Sequence, residues 1–180
     1  MITDPPYGIS YKSGWANRFR NVEIQNDSDT ATRDKILELW GERPALVFGS
    51  WKISKPSGTR ALLIWDKGTV GMGDLKVPWF PCTEEIYVLG FGWTGTRTSS
   101  VFRVVSKNVH HPTEKPSALL QSLLRKSPNG TIADPFMGSG STLVAAKSLG
   151  RRAIGVEIEE KYCEIAAKRC GQDYLFGEVG

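Results

Sequence analysis

The stretch Thr131–Ile158, TIADPFMGSGSTLVAAKSLGRRAIGVEI, constrains this 180-residue chain more than any other. Thr131-Ile132-Ala133 is a short apolar run halted at Asp134-Pro135, where proline removes a backbone donor and limits strand pairing. Phe136-Met137-Gly138-Ser139-Gly140 follows as a glycine-rich turn. Ser139 or Ser141 is placed to cap a helix whose Leu143, Val144, Ala146 and Leu149 keep helical spacing. Gly150 closes that helix, and Ala153-Ile154-Gly155-Val156 opens a second strand that ends on Glu157. Strand, glycine turn, helix, strand and acid make a half-fold in which backbone amides approach a ligand at the turn and the acid takes a ribose. The turn lacks the Gly-Lys-Ser/Thr ending of a phosphate-binding P-loop.

At this length the chain supports one domain with a sizeable core, and no linker, repeat or low-complexity segment argues for a second. No apolar run approaches the roughly 18 to 20 residues of a membrane span, and no signal peptide opens the chain. The net charge of +4 and a pI near 9.0 suit a polyanionic partner without establishing one. Cys82, Cys163 and Cys170 are an odd count without metal-ligand spacing, which reads as reduced thiols in a cytoplasmic protein. Pro81-Cys82 matches the nucleophile dipeptide of cytosine-C5 methyltransferases, but nothing else of that arrangement is present.

Near the N-terminus, Asp4-Pro5-Pro6-Tyr7 is a stiff elbow, because two successive prolines fix two φ values and forbid helix and continued pairing. Asp29 or Thr30 to Trp40 reads as an amphipathic helix. Apolar runs at 44–51, 60–65 and 83–91 read as strands. The segment 66–81 between the last two, rich in glycine and proline, reads as a loop whose Trp and Phe serve packing. Pro116 opens a helix over 117–126 with Leu119, Leu120, Leu123 and Leu124 as its apolar stripe. A helix over 159–169 turns Tyr162, Ile165 and Ala166 inward and its charges to solvent, and 173–176 reads as a last edge strand.

Asp134-Pro135-Phe136 before the glycine turn, Glu157 after it, the Asp4–Tyr7 elbow and the string His111-Pro112-Thr113-Glu114-Lys115-Pro116 together resemble the S-adenosylmethionine-dependent amino-methyltransferases of DNA. The resemblance runs over nearly the whole chain. The elbow stands as motif IV, His111–Pro116 as the entry to motif X, and Asp134–Gly140 with Glu157 as motifs I and II. That order is the circularly permuted one of the family's beta group.

What the resemblance implies is an α/β, Rossmann-like methyltransferase fold with a mostly parallel central sheet and helices on both faces. S-adenosylmethionine would lie against Asp134, Phe136, Gly138, Ser139, Gly140 and Glu157, with His111, Thr113 and Lys115 along it and Lys115 meeting its carboxylate. Asp4, Pro5, Pro6 and Tyr7 would be catalytic. The lone pair of a nucleobase amino group is delocalised into the ring. The Asp4 carboxylate and the Pro5 carbonyl accept its two N–H bonds, freeing that lone pair, while Tyr7 stacks on the extruded base. Methyl transfer is then direct, without a covalent enzyme intermediate and without a metal.

DNA is the implied partner, with Arg18 and Arg20 on the loop after the elbow and Arg97, Arg103 and Lys107 in a short recognition segment near 92–109. That segment is too short to form a domain, so the loop or a second subunit of a homodimer shares the reading. Adenine N6 is favoured over cytosine N4 because the family's N4 members more often carry Ser at the position of Asp4. A catalytically silent binding relative and an RNA substrate stay open as alternatives. The setting implied is the cytoplasm of a prokaryotic or phage-infected cell. The strand ahead of Asp4 is only Met1–Thr3, against a typical length of about five to six residues. Its shortness sets the expectation of lost N-terminal residues and a stability defect.

Overall fold

A computed structural model describes residues 1–6, 29–68, 76–105 and 114–171. Tyr7, Arg18, Arg20, Lys107, His111, Thr113 and the strand expected at 173–176 lie outside the described residues. In chain order the elements are β1 (Ile2–Thr3), α1 (Ala31–Trp40), β2 (Ala45–Gly49), β3 (Ala61–Asp66), β4 (Thr83–Leu89), β5 (Val101–Arg103), α2 (Ser117–Leu124), β6 (Ile132–Asp134), α3 (Ser141–Ser148), β7 (Ala153–Gly155) and α4 (Glu160–Gly171).

Five strands join in the order β1-β2-β4-β3-β5, and β6 pairs with β7 in a second ladder. β1 runs parallel to β2, with Ile2 opposite Leu46, and β3 runs parallel to β5. β4 is antiparallel to both of its neighbours, so it alone reverses direction in the five-stranded sheet. β6 and β7 are parallel, with Asp134 opposite Gly155. β6 packs beside β1, which places the two-residue β1 between β2 and the β6–β7 pair. The sheet is thus mixed and mostly parallel, as the resemblance implied. β5 was not read from the sequence; its three residues fall inside the expected recognition segment.

Alternation in β2 shows why both faces are covered. Leu46 and Phe48 enter a core with Ile2, Trp65, Ile86, Ile132, the four α2 leucines and Ala145 and Ala146 of α3. Ala45 and Val47 point the other way, to Tyr87, Leu89 and the α1 residues Leu37 and Trp40. Leu119, Leu120, Leu123 and Leu124 are all buried. Each is worth roughly 1.5–3 kcal/mol relative to an exposed leucine, before the entropy of ordering is counted.

Candidate active site

The site is built where β1 and β6 end. Thr3, the last residue of β1, donates its hydroxyl to Asp134 Oδ1 at 3.0 Å, and the bond is buried. Asp134 is the last residue of β6, and the same oxygen accepts the Phe136 N–H at 3.1 Å. One carboxylate, 4% exposed, therefore ties the start of the Asp4-Pro5-Pro6 elbow to the glycine turn. Burial pushes the Asp134 carboxyl up to about 6, although bonds from Thr142, Phe136 and Thr3 pull the other way. Pro5 is buried, and Asp4 and Pro6 are half-buried. Thr3 carried no signal in the sequence beyond closing an apolar tripeptide.

Gly138 takes a positive φ of 50° and donates its N–H to Glu157 Oε2 at 3.0 Å. The other Glu157 oxygen accepts the N–H groups of Ile158 at 2.7 Å and Glu159 at 2.9 Å. Turn and acid are thereby locked together at the ends of two adjacent parallel strands, the crevice in which such sheets bind ligands. Gly140 also has a packing role. It is the N-cap of α3 in left-handed conformation, φ 82°, and a Cβ there would stand 2.7 Å from the Ala166 Cβ. Gly140 thus lets α4 pack closely on the turn.

Neither Ser139 nor Ser141 caps α3, contrary to expectation, because both hydroxyls are engaged by Arg169 of α4. Its Nη1 donates to the Ser139 carbonyl at 2.8 Å, to Ser139 Oγ at 2.9 Å and to Ser141 Oγ at 3.3 Å. Its Nη2 pairs with Glu114 Oε1 at 2.8 Å. The charges of α4 were expected to face solvent. Arg169 does not, because α4 packs against α3 and carries its last turn over the glycine turn.

A chain of charges stands behind Asp4. Lys115 Nζ donates to Asp4 Oδ2 at 2.6 Å and lies 3.1 Å from Glu84 Oε2. The second contact is an ion pair outside hydrogen-bond geometry, and Glu84 Oε2 accepts no hydrogen bond among the described residues. Lys67 Nζ pairs with Glu84 Oε1 at 2.6 Å. Two carboxylates hold Lys115 above the ordinary lysine range although burial pushes it down. Burial works to raise Glu84, yet the two ammoniums hold it below the usual carboxylate range. Glu84 and Lys67 were not singled out in the sequence, where they read as ordinary strand-end charges.

The basic residues are divided. Arg103, exposed, pairs with Asp66 at 3.0 Å beside the C-terminal end of β3, the end of the sheet that carries Asp4. Arg97, also exposed, precedes β5 and lies toward the opposite end. The aromatics of 66–81 expected in the core include Trp79 at 77% exposure and Phe80 at 58%. They sit on the proline-flanked segment that enters β4, at the Asp4 end, where Pro78 and Pro81 keep the backbone from sheet pairing. A hollow of about 770 Å³ at the far end of the sheet is lined by Arg33, Arg60, Glu42 and Phe91 among others, and by none of the site residues above. Its mixed charges define no ligand. No helix among the described residues is long and apolar enough to cross a membrane.

The sequence profile of the N6/N4 DNA methylase family matches residues 20–168. The chain belongs to that family. Among its relatives, the Type II methyltransferase M2.DpnII of Streptococcus pneumoniae is 47% identical over 79 residues, 43% of this chain and 28% of the relative. YubD of Escherichia coli (strain K12) is 52% identical over 148 residues, 79% of this chain and 56% of that protein. The chain thus spans 28% of the length of the first of these relatives and 56% of the second. Of solved structures, the cytosine-N4-specific PvuII DNA methyltransferase superposes with a TM-score of 0.71 at 12% identity, covering 98% of this chain and 80% of its own. The M1.HpyAVI–SAM complex gives 0.62 at 24% identity, covering 93% and 86%. At these identities the neighbours share the Rossmann-like methyltransferase fold. The methylase family takes its methyl group from S-adenosylmethionine.

Proposed function

We propose that this chain transfers the methyl group of S-adenosylmethionine to the N6 amino nitrogen of adenine in DNA. The observation that carries the reading is the Thr3–Asp134 bond, which brings the acid of the elbow and the glycine turn with Glu157 to adjacent strand ends. The residues fit the cofactor. Among the described residues Glu157 Oε2 accepts a single bond and keeps a lone pair for a ribose hydroxyl, while a second hydroxyl on Oε1 displaces one of two amides. Ile158, next to the acid and 70% exposed, offers an apolar face to an adenine ring. Bound there, S-adenosylmethionine supplies an electrophilic methyl on a sulfonium.

This chain's own residues prepare the acceptor. Asp4 takes one N–H of the base's amino group and stabilises the positive charge that grows on nitrogen; the Pro5 carbonyl takes the other. Tyr7 stacks on the extruded base, as Trp79 and Phe80 do on neighbouring bases. Adenine is preferred because Asp4 stands where the family's N4 members more often carry Ser. The setting is the bacterial cytoplasm.

Incubation with S-adenosylmethionine and DNA, followed by mass spectrometry of the nucleosides, is expected to yield N6-methyladenine. N4-methylcytosine would move the assignment to the other base. A wild-type protein that binds cofactor and methylates no DNA would be the silent relative instead. Glu157→Ala is expected to cost about 1.5–3 kcal/mol of cofactor binding, the scale of hydrogen bonds to a charged group. Calorimetric titration checks this, and an unchanged Kd would place the ribose elsewhere. DNA affinity is expected to fall about 40- to 150-fold between 50 and 200 mM salt if three or four phosphates are contacted. Salt-independent binding would remove DNA as the substrate.

A further inference from the structure

We infer that Lys115 acts chiefly on Asp4: held between Asp4 and Glu84, its ammonium keeps the Asp4 carboxylate ionised and aimed, making Lys115 and Glu84 positioning residues for the methyl acceptor. This rests on the proposed reading of Asp4 as the group that accepts the base's N–H.

The geometry divides two consecutive residues between the two halves of the site. Glu114 turns to the glycine turn, where it binds Arg169 Nη2 at 2.8 Å and accepts from the Ser141 hydroxyl at 3.3 Å. Lys115 turns the other way, to Asp4 at 2.6 Å. Its side chain is 7% exposed, with Nζ 4.9 Å from the Phe48 ring centroid and 5.9 Å from that of Trp65. An ammonium walled by two aromatic rings and two carboxylates is held in place from several sides. Glu84 pulls it from behind, and Lys67 in turn neutralises Glu84. Positive and negative groups thus alternate from the end of β3, through the start of β4 and the segment before α2, to the elbow.

The chemistry gives such a device a use. As a carboxylate, Asp4 both accepts the N–H and offsets the charge growing on nitrogen; protonated, it loses that charge and one of its oxygens becomes a donor. The charged groups near Asp4 include Lys115 and Asp134, with Glu84 and Lys67 behind. A like charge nearby disfavours ionisation, and Asp134, whose carboxyl is raised mainly by burial and also by Asp4, is such a neighbour. Lys115, 2.6 Å from Asp4, offsets it.

The test is carboxyl NMR of protein labelled at aspartate, with the Asp4 resonance identified by its loss in Asp4→Asn. In Lys115→Met the Asp4 titration midpoint is expected to rise by about one pH unit or more, the scale for removing an adjacent opposite charge. The acid limb of the kcat profile is expected to move with it. S-adenosylmethionine affinity is expected to fall less than tenfold. Should the single variant fail to fold, the charge-balanced pair Glu84→Gln with Lys115→Met removes one buried anion with the cation and carries the same readout. A rise smaller than one unit, or a loss of cofactor affinity of tenfold or more, overturns the inference. The NMR midpoint needs no turnover, so a wild type silent on DNA would sink the proposed function without touching this result.

Discussion

Asp4→Ala is expected to lose about 100- to 1000-fold in turnover, the scale for removing one preorganised electrostatic group from a transition state. The amino nitrogen gains positive character as the methyl arrives, and the carboxylate's stabilisation grows with that charge. Asparagine still presents an oxygen acceptor but no charge, so Asp4→Asn is expected to keep partial activity at most. The fold has reason to survive either change, because Lys115 retains Glu84 as a partner. Cofactor affinity is expected to fall far less than turnover, since the glycine turn is held by Glu157 and Arg169 and not by Asp4. Single-turnover methylation beside cofactor titration separates the two. Wild-type rates in Asp4→Ala would mean that the elbow is not the acceptor site.

The second large effect is on stability and concerns Asp134. Its carboxyl sits near 6 in the folded chain against an ordinary 3.8, with burial as the leading cause. Between these values the folded state binds more protons than the unfolded one. The stability linked to this group is therefore full below about pH 4 and lost as pH rises through 6. The displacement corresponds to on the order of 3 kcal/mol. Asp134→Asn still accepts from Thr3 and Phe136 through its oxygen, carries no charge and is expected to lack this slope. Glu84, held low by its lysines, runs in the opposite sense, losing its contribution as pH falls. It is common to both proteins and cancels in their difference. Urea unfolding of wild type and variant from about pH 4 to 7 is the measurement. A stability difference that stays constant with pH would show that Asp134 is not the buried titrating group described.

Much of the site was legible because it is local. The 131–158 stretch builds β6, α3 and β7 from consecutive residues, so strand, turn and helix signals lie in one window and Glu157 falls at its end. The elbow was legible for a similar reason: two prolines dictate backbone shape whatever surrounds them. The α2 leucines declared their face by spacing alone. The polar network was not legible in this way. Thr3 and Asp134 are 131 residues apart, Asp4 and Lys115 are 111 apart, and Arg169 and Ser139 are 30 apart. A charge at the end of a helix reads the same in sequence whether it meets water or clamps a turn. The same holds for Gly140, where, besides its left-handed φ, a side chain would strike Ala166 of a helix 26 positions away, and for Trp79 and Phe80, which any hydrophobicity argument buries. Apolar period and proline geometry are properties of the chain's own next few residues, so the sequence by itself determined most of the elements, the apolar face of α2 and the two motifs, but not the three-residue β5. Which polar atoms compensate one another depends on which strand ends and helix ends the closed sheet brings within three ångströms. Only the tertiary structure decided that Asp134 hangs the elbow from the turn and that Lys115 faces Asp4.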